Sequence, residues 1–224
     1  MSIDLDAPPV TQRFTLNAVT AAALLAAALA FNLGGALHPN DAGVGNKVDQ
    51  LHDMLLRDAW WPSHLGLLVS FALFTVAFLR LGQDRQLPAT VRRVIRAMAW
   101  ISALTTAAMV PHLLAPLGAH SIADGESNAL SVFMTVNETL ANAPWALGLA
   151  VLALASGRPG VLGNQATAVI GMIGGISFAT AAVTIPFTDA LDALFAVGGM
   201  GITLWTFAVV AVGLHRRRTG PPTA

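Results

Sequence analysis

The chain has 224 residues, of which 55% are hydrophobic and only 11% charged, where about a quarter would be charged in a soluble domain. Twelve basic residues balance twelve acidic ones, and no basic tract beyond Arg216-Arg217-Arg218 is present to hold nucleic acid. The complete lack of cysteine excludes disulfides, thiolate metal sites, covalent c-type haem and thiol nucleophiles. Any metal must be held by His, carboxylate, Met or backbone.

Residues 1–13 read as a short polar cytoplasmic tail with Asp4, Asp6, Pro8 and Pro9, ending at Arg13. The run from Phe14 to Leu37 is long enough to cross ~30 Å of hydrocarbon, which takes about 20 helical residues. Ala28-Leu29-Ala30 looks like a signal-peptidase site, but the run is too long for a leader and follows an acidic tail, so it is expected to stay as a helix. After His38, residues 41–46 read as a loop because Gly43, Gly45 and Asn46 supply turn conformations. Val48, Leu51, Leu55 and Leu56 then recur at helical spacing, with Asp49, His52 and Asp53 on a more polar face. That pattern predicts a short interfacial helix lying as a lid over the bundle. Trp60 and Trp61 suit the headgroup level.

The second span is expected over Trp61–Leu81, followed by a polar turn from Gly82 to Ala89. The third runs from about Val94 to Leu117, where Pro111 and Pro116 predict a kink or broken last turns. Residues 118–128 read as a loop. The apolar stretch from Ala141 to Ala155 is too short to cross alone. The fourth helix must therefore begin near Ser131, which brings Asn137, Glu138 and Asn142 to membrane depth. The fifth span is Gln165–Phe187 and the sixth Leu191–His215, with a cytoplasmic tail over 216–224. Gly171 and Gly175, and Gly198, Gly199 and Gly201, have the small-residue spacing that lets membrane helices approach closely, either within the bundle or in a homo-oligomer.

The predicted architecture is thus all-α: a six-helix polytopic membrane domain over residues 14–215, with a short extracytoplasmic helix between spans 1 and 2. One side collects Arg13, Arg80, Arg85, Arg92, Arg93, Arg96, Arg158, Arg216, Arg217 and Arg218. The other holds Lys47 and Arg57 with most of the acids: Asp41, Asp49, Asp53, Asp58, Asp124, Glu126, Glu138, Asp189 and Asp192. The positive-inside rule then puts both termini in the cytoplasm and the bundle in the plasma membrane.

Five histidines fall on the outer half: His38, His52, His64, His112 and His120. Arg80 to His64, Arg96 to His112 and Arg158 to Asn142 are each about 16 residues, roughly 24 Å of helix. His64 and His112 therefore sit at one depth on consecutive antiparallel helices, with Glu138 about one turn higher. Ionisable residues inside a span are costly and usually face the bundle interior or water, which makes these functional candidates. Plain alternatives exist for each. His64 can cap its own helix, His112 can bond a carbonyl freed by Pro111, and His52 can pair with Asp49 on a polar face. Glu138 can be a helix-start residue, His120 a loop residue, and Met109 simple packing.

Three functions follow as expectations. The first is a b-type cytochrome with haem b between His64 and His112, exchanging electrons with a quinone or a membrane redox complex. The second is a metal-dependent enzyme acting on a lipid or other apolar substrate. There His38, His52, His64, His112 and Glu138 would share ligand and general-base roles around a Zn, Cu or Fe ion. The third is a transporter or accessory subunit of a membrane complex. The pattern His38-Pro39, an acidic loop, then Trp61-Pro62-Ser63-His64 opening the next span resembles six-span membrane proteins of high-GC actinobacteria over residues 30–82. That resemblance implies topology and no particular activity.

Overall fold

The computed structural model describes residues 14–39, 45–124, 126, 128–185 and 187–219. In chain order the helices are α1 (Ala18–Ala36), α2 (Lys47–Leu55), α3 (Trp60–Gln83), α4 (Ala89–Leu113), α5 (Ala119–Ala123), α6 (Ala129–Asn137), α7 (Ala143–Gly157), α8 (Gln165–Thr184) and α9 (Ala193–Thr219). A 3-10 turn, Ala115–Gly118, joins α4 to α5, and a π turn, Glu138–Asn142, joins α6 to α7. No strand occurs among the described residues.

Six helices are long and apolar enough to cross a membrane: α1, α3, α4, the continuous stretch Val132–Gly157, α8 and α9. Helices suit that role because they satisfy their own backbone polar groups where no water is present. Each span packs on the next, α1 on α3, α3 on α4, α4 on α7, α7 on α8 and α8 on α9, and α9 closes back on α1. The result is a closed ring of six spans.

Aromatic side chains fill the centre of the ring. Trp145 is fully buried, with Phe71 edge-on at 4.7 Å and Phe31 at 5.5 Å between ring centroids. Its indole N–H donates to Ser102 Oγ at 3.0 Å, the partner that a buried tryptophan requires. Ser63 and Ser70 of α3 donate across to the carbonyls of Gly34 and Ala27 of α1, both at 2.8 Å. Outward-facing Leu29, Leu33, Leu65, Trp100, Leu104, Leu140 and Ile173 are exposed, an apolar belt suited to lipid.

Of the glycines read from the sequence as packing positions, Gly171, Gly175, Gly198 and Gly201 are used inside the chain, as is Gly174, which that reading did not include. A Cβ on Gly174 would lie 2.6 Å from the backbone nitrogen of Ile202, and one on Gly201 would lie 2.6 Å from Gly174 Cα. Gly171 and Gly175 meet α7 in the same way, at Ala153 and Ala146. The closest helix contacts of the bundle thus depend on missing side chains.

At the arginine-bearing end, basic side chains fasten turns. Arg96 Nε donates to the Gly82 carbonyl at 2.9 Å, and Arg216 donates to the carbonyls of Val161 and Gly163 at 2.8 and 3.3 Å. Because α9 continues to Thr219, Arg216, Arg217 and Arg218 are helical.

Two expectations are corrected. The third span ends at Leu113, not Leu117, with Pro116 in the 3-10 turn that follows. The expected loop over 118–128 contains α5, because Ala119 and Ile122 bury against Leu55, Trp60, Ala115 and Met134 in a second apolar cluster. This cluster docks α2 on α5 over the end of the bundle, where the sequence placed an interfacial helix. The start of α2 is held by Asn46, whose Oδ1 accepts from Val48 and Asp49 N–H while Asp49 returns the bond, a capping box. The expected 1–13 tail, and Asp41 with most of its loop, lie outside the described residues.

Candidate functional site

Three of the expected histidines come together at the end of the bundle away from the arginines. His38 follows α1, His64 lies in the first turns of α3, and His112 is near the end of α4. His64 is the middle member, its ring centroid 4.9 Å from that of His38 and 4.9 Å from that of His112. His64 is fully buried and His112 only 4% exposed, whereas His38 lies exposed at the rim. Side-by-side antiparallel packing of α1 on α3 and α3 on α4 brings this about, since it holds residues near the same helix ends at one level.

Each ring has one nitrogen held. His64 Nδ1 lies 2.8 Å from the Trp60 carbonyl. A carbonyl only accepts, so Nδ1 carries the proton and, in the neutral ring, Nε2 is a bare lone pair. That Nε2 is buried with no hydrogen-bond partner. His38 Nδ1 is fixed in the same way by the Pro39 carbonyl at 3.1 Å. On His112 the pattern is reversed: Nε2 faces Glu138 Oε1 at 3.6 Å, while Nδ1 is buried and unpartnered.

Glu138 reaches His112 from the π turn. Such a turn adds a residue to the helix, re-aims side chains and frees backbone carbonyls, and it often marks a functional site. Here the Thr105 hydroxyl of α4 is shared between the Ile101 and Ala141 carbonyls at 3.0 and 3.3 Å. The other carboxylate oxygen of Glu138 accepts from Asn142 Nδ2 at 3.0 Å. Asn137, 1% exposed, points its Nδ2 at Met109 Sδ, 3.6 Å away.

Trp60 corrects an expectation. The sequence places it at the headgroups beside Trp61, yet it is fully buried while Trp61 is 42% exposed. Its indole stacks on the His64 ring at 3.7 Å and lies 5.5 Å from the His112 ring. Its N–H donates to the Leu113 carbonyl at 3.2 Å. The cluster therefore has an aromatic wall, for which the four-residue spacing of Trp60 and His64 at a helix start was the available signal.

His52 and His120 are not brought in. His52 sits on α2, outside the ring contacts that join His38, His64 and His112, with its Nε2 buried and unpartnered. His120 is exposed on α5. Among the described residues, no three His, Asp or Glu side chains converge as a metal-ligand set. Packing of protein around the His38 ring lowers its pKa from the ordinary imidazole value by desolvation, and the bond to Pro39 acts the other way. Solvent at the exposed rim screens part of this effect.

The ring spacing bears on what the pair can hold. Taking metal–nitrogen bonds of ~2 Å, imidazoles on opposite faces of one haem iron have centroids roughly 6 Å apart, whereas neighbouring ligands of a tetrahedral ion come to about 5 Å. The pair His64 and His112 lies at 4.9 Å, the shorter class. Comparison with family models, curated proteins and solved structures returns no match for this chain.

Proposed function

We propose that this polytopic membrane protein binds a single transition-metal ion between His64 and His112, at the extracytoplasmic end of its bundle. One observation carries the reading. Both rings have one nitrogen facing an acceptor, by a 2.8 Å hydrogen bond on His64 and at the longer distance of 3.6 Å on His112, and the other buried without a partner. That is how metal-ligating histidines are oriented, with a carbonyl or carboxylate fixing the tautomer from behind. A carboxylate behind the imidazole also raises its basicity as a ligand, and Glu138 takes that role behind His112. The 4.9 Å spacing supports one ion bridged by neighbouring ligands over haem b between them. The arginines at the opposite end support a cytoplasmic placement of both termini in the plasma membrane.

A second reading rests on the chain of contacts His38, His64, His112, Glu138, which runs from the exposed rim through the two buried rings. Chains of His and carboxylate inside membranes serve as proton relays, as in a transporter or an accessory subunit.

One experiment separates these readings. The protein is purified in mild detergent and its oxidised and dithionite-reduced spectra are recorded with metal analysis, alongside His64→Ala. The expected result is about one metal ion per chain, no Soret band, and loss of the ion in the variant. A Soret band that disappears in His64→Ala would restore the haem b assignment. Neither haem nor metal would leave the proton relay.

A further inference from the structure

The two histidines need a further donor, since an ion held by two imidazoles alone is open to exchange. No third His, Asp or Glu side chain among the described residues completes the set, and Glu138 is already engaged by His112 and Asn142. Asn137 Oδ1 and Asn142 Oδ1 are also buried without a partner and would offer hard oxygen; the soft donor beside His112 is Met109. It lies one turn before His112 on the same face of α4, and it is 1% exposed. Its sulfur is the acceptor toward which Asn137 Nδ2 points at 3.6 Å. Asn137 immediately precedes Glu138, so Met109, Asn137, Glu138 and His112 form one neighbourhood. A thioether has two lone pairs, and an N–H on one leaves the other for a metal.

We propose that Met109 Sδ is the third donor and that the ion is monovalent copper. This rests on the reading of His64 and His112 as ligands and goes beyond it in naming the ion and the third ligand. Two imidazole nitrogens and one thioether are all uncharged. The thioether is the deciding member: it suits a soft monovalent ion, whereas Zn takes imidazole, thiolate or carboxylate and Mg takes oxygen. A chain without cysteine has methionine as its only soft ligand. Asn137 is then a positioning residue that fixes the thioether.

The test is an anaerobic titration of the full-length protein in detergent with Cu(I) against a chromogenic Cu(I) chelator, and in parallel with Zn(II). Met109→Leu is the main variant because it conserves volume, and X-ray absorption is recorded on the copper-loaded samples. The expected result is one Cu(I) per chain with a sulfur scatterer. Met109→Leu should lose that scatterer and bind Cu(I) at least about tenfold more weakly, with unchanged thermal unfolding of the metal-free protein. If Met109→Leu matches the wild type in affinity and spectrum while His64→Ala does not bind, Met109 is overturned as a ligand and the two-histidine site stands. Binding of Zn(II) in preference to Cu(I) overturns the copper assignment alone. If the wild type binds neither ion, both this proposal and the metal reading fall.

Discussion

Trp60 and His64 are joined twice: their rings stack at 3.7 Å with planes 17° apart, and the Trp60 carbonyl takes the His64 Nδ1 proton at 2.8 Å. The tryptophan thus sets both the orientation and the tautomer of the ring that faces His112. Trp60→Phe should keep the backbone carbonyl and much of the stacking. It loses the indole bond to the Leu113 carbonyl, at a cost of about 1 kcal/mol. Trp60→Ala should cost about 3–5 kcal/mol by emptying the apolar cluster beneath α2 and α5. Thermal unfolding in detergent reads both. Both variants keep the backbone carbonyl that holds His64 Nδ1, and only Trp60→Ala removes the stacked ring. Metal retention should therefore fall more in that variant; equal retention in both would mean that stacking does not hold the ligand.

In the proposed site Glu138 would act on the ion through His112. Glu138→Gln keeps an acceptor for Asn142 and removes the carboxylate charge, so bound metal should be held about 10- to 100-fold more weakly. Chelator competition measures this directly. Unaltered affinity would mean that the 3.6 Å approach of Glu138 to His112 has no bearing on the ligand.

Much of this arrangement was legible in the sequence, for reasons particular to each element. The six spans followed from apolar length, and the equal depth of His64 and His112 from counting residues back to Arg80 and Arg96. What stayed hidden were relations across helices. The place of Trp60 depends on α5, whose five residues look like loop until Ile122 finds Leu55 and Met134. The aim of Glu138 depends on the π turn, which a 3.6-residue period cannot anticipate.

The pH dependence of stability has a definite sign at His38. Its folded pKa is lowered from the ordinary imidazole value of 6.5, chiefly by desolvation. In the window between the lowered value and 6.5 the unfolded chain binds more protons than the folded one. Stability is therefore full above that window and falls as the pH drops through it. His38→Gln should flatten the decline in Tm below pH 6.5 without altering Tm at pH 8. A variant that declines as steeply as the wild type would remove His38 from the effect.

The orientation can be read with single cysteines, because the natural chain has none to remove. Asp53 on α2 and Arg158 at the end of α7 are both exposed, at opposite ends of the bundle. In intact cells an impermeant thiol reagent should label Asp53→Cys and leave Arg158→Cys untouched until the membrane is opened. The reverse pattern would put the histidine cluster in the cytoplasm and contradict the positive-inside assignment.

The contact between α8 and α9 offers a control that separates folding from the site. A methyl group on Gly174 would fall 2.6 Å from the Ile202 backbone nitrogen, and no flexible side chain is there to yield. Gly174→Ala must push two helices apart and should cost about 1–3 kcal/mol. Gly35 has nothing within 4 Å of the same position, so Gly35→Ala should be neutral or, by helix propensity, stabilise by up to about 1 kcal/mol. Gly174 lies on α8, away from His64 and His112 on α3 and α4, so folded Gly174→Ala protein should still hold the proposed metal. Lower Tm with full metal content would show that the ring of helices and the histidine site are separable; metal loss at temperatures where the variant is folded would show that closure of the ring helps to position His64 and His112.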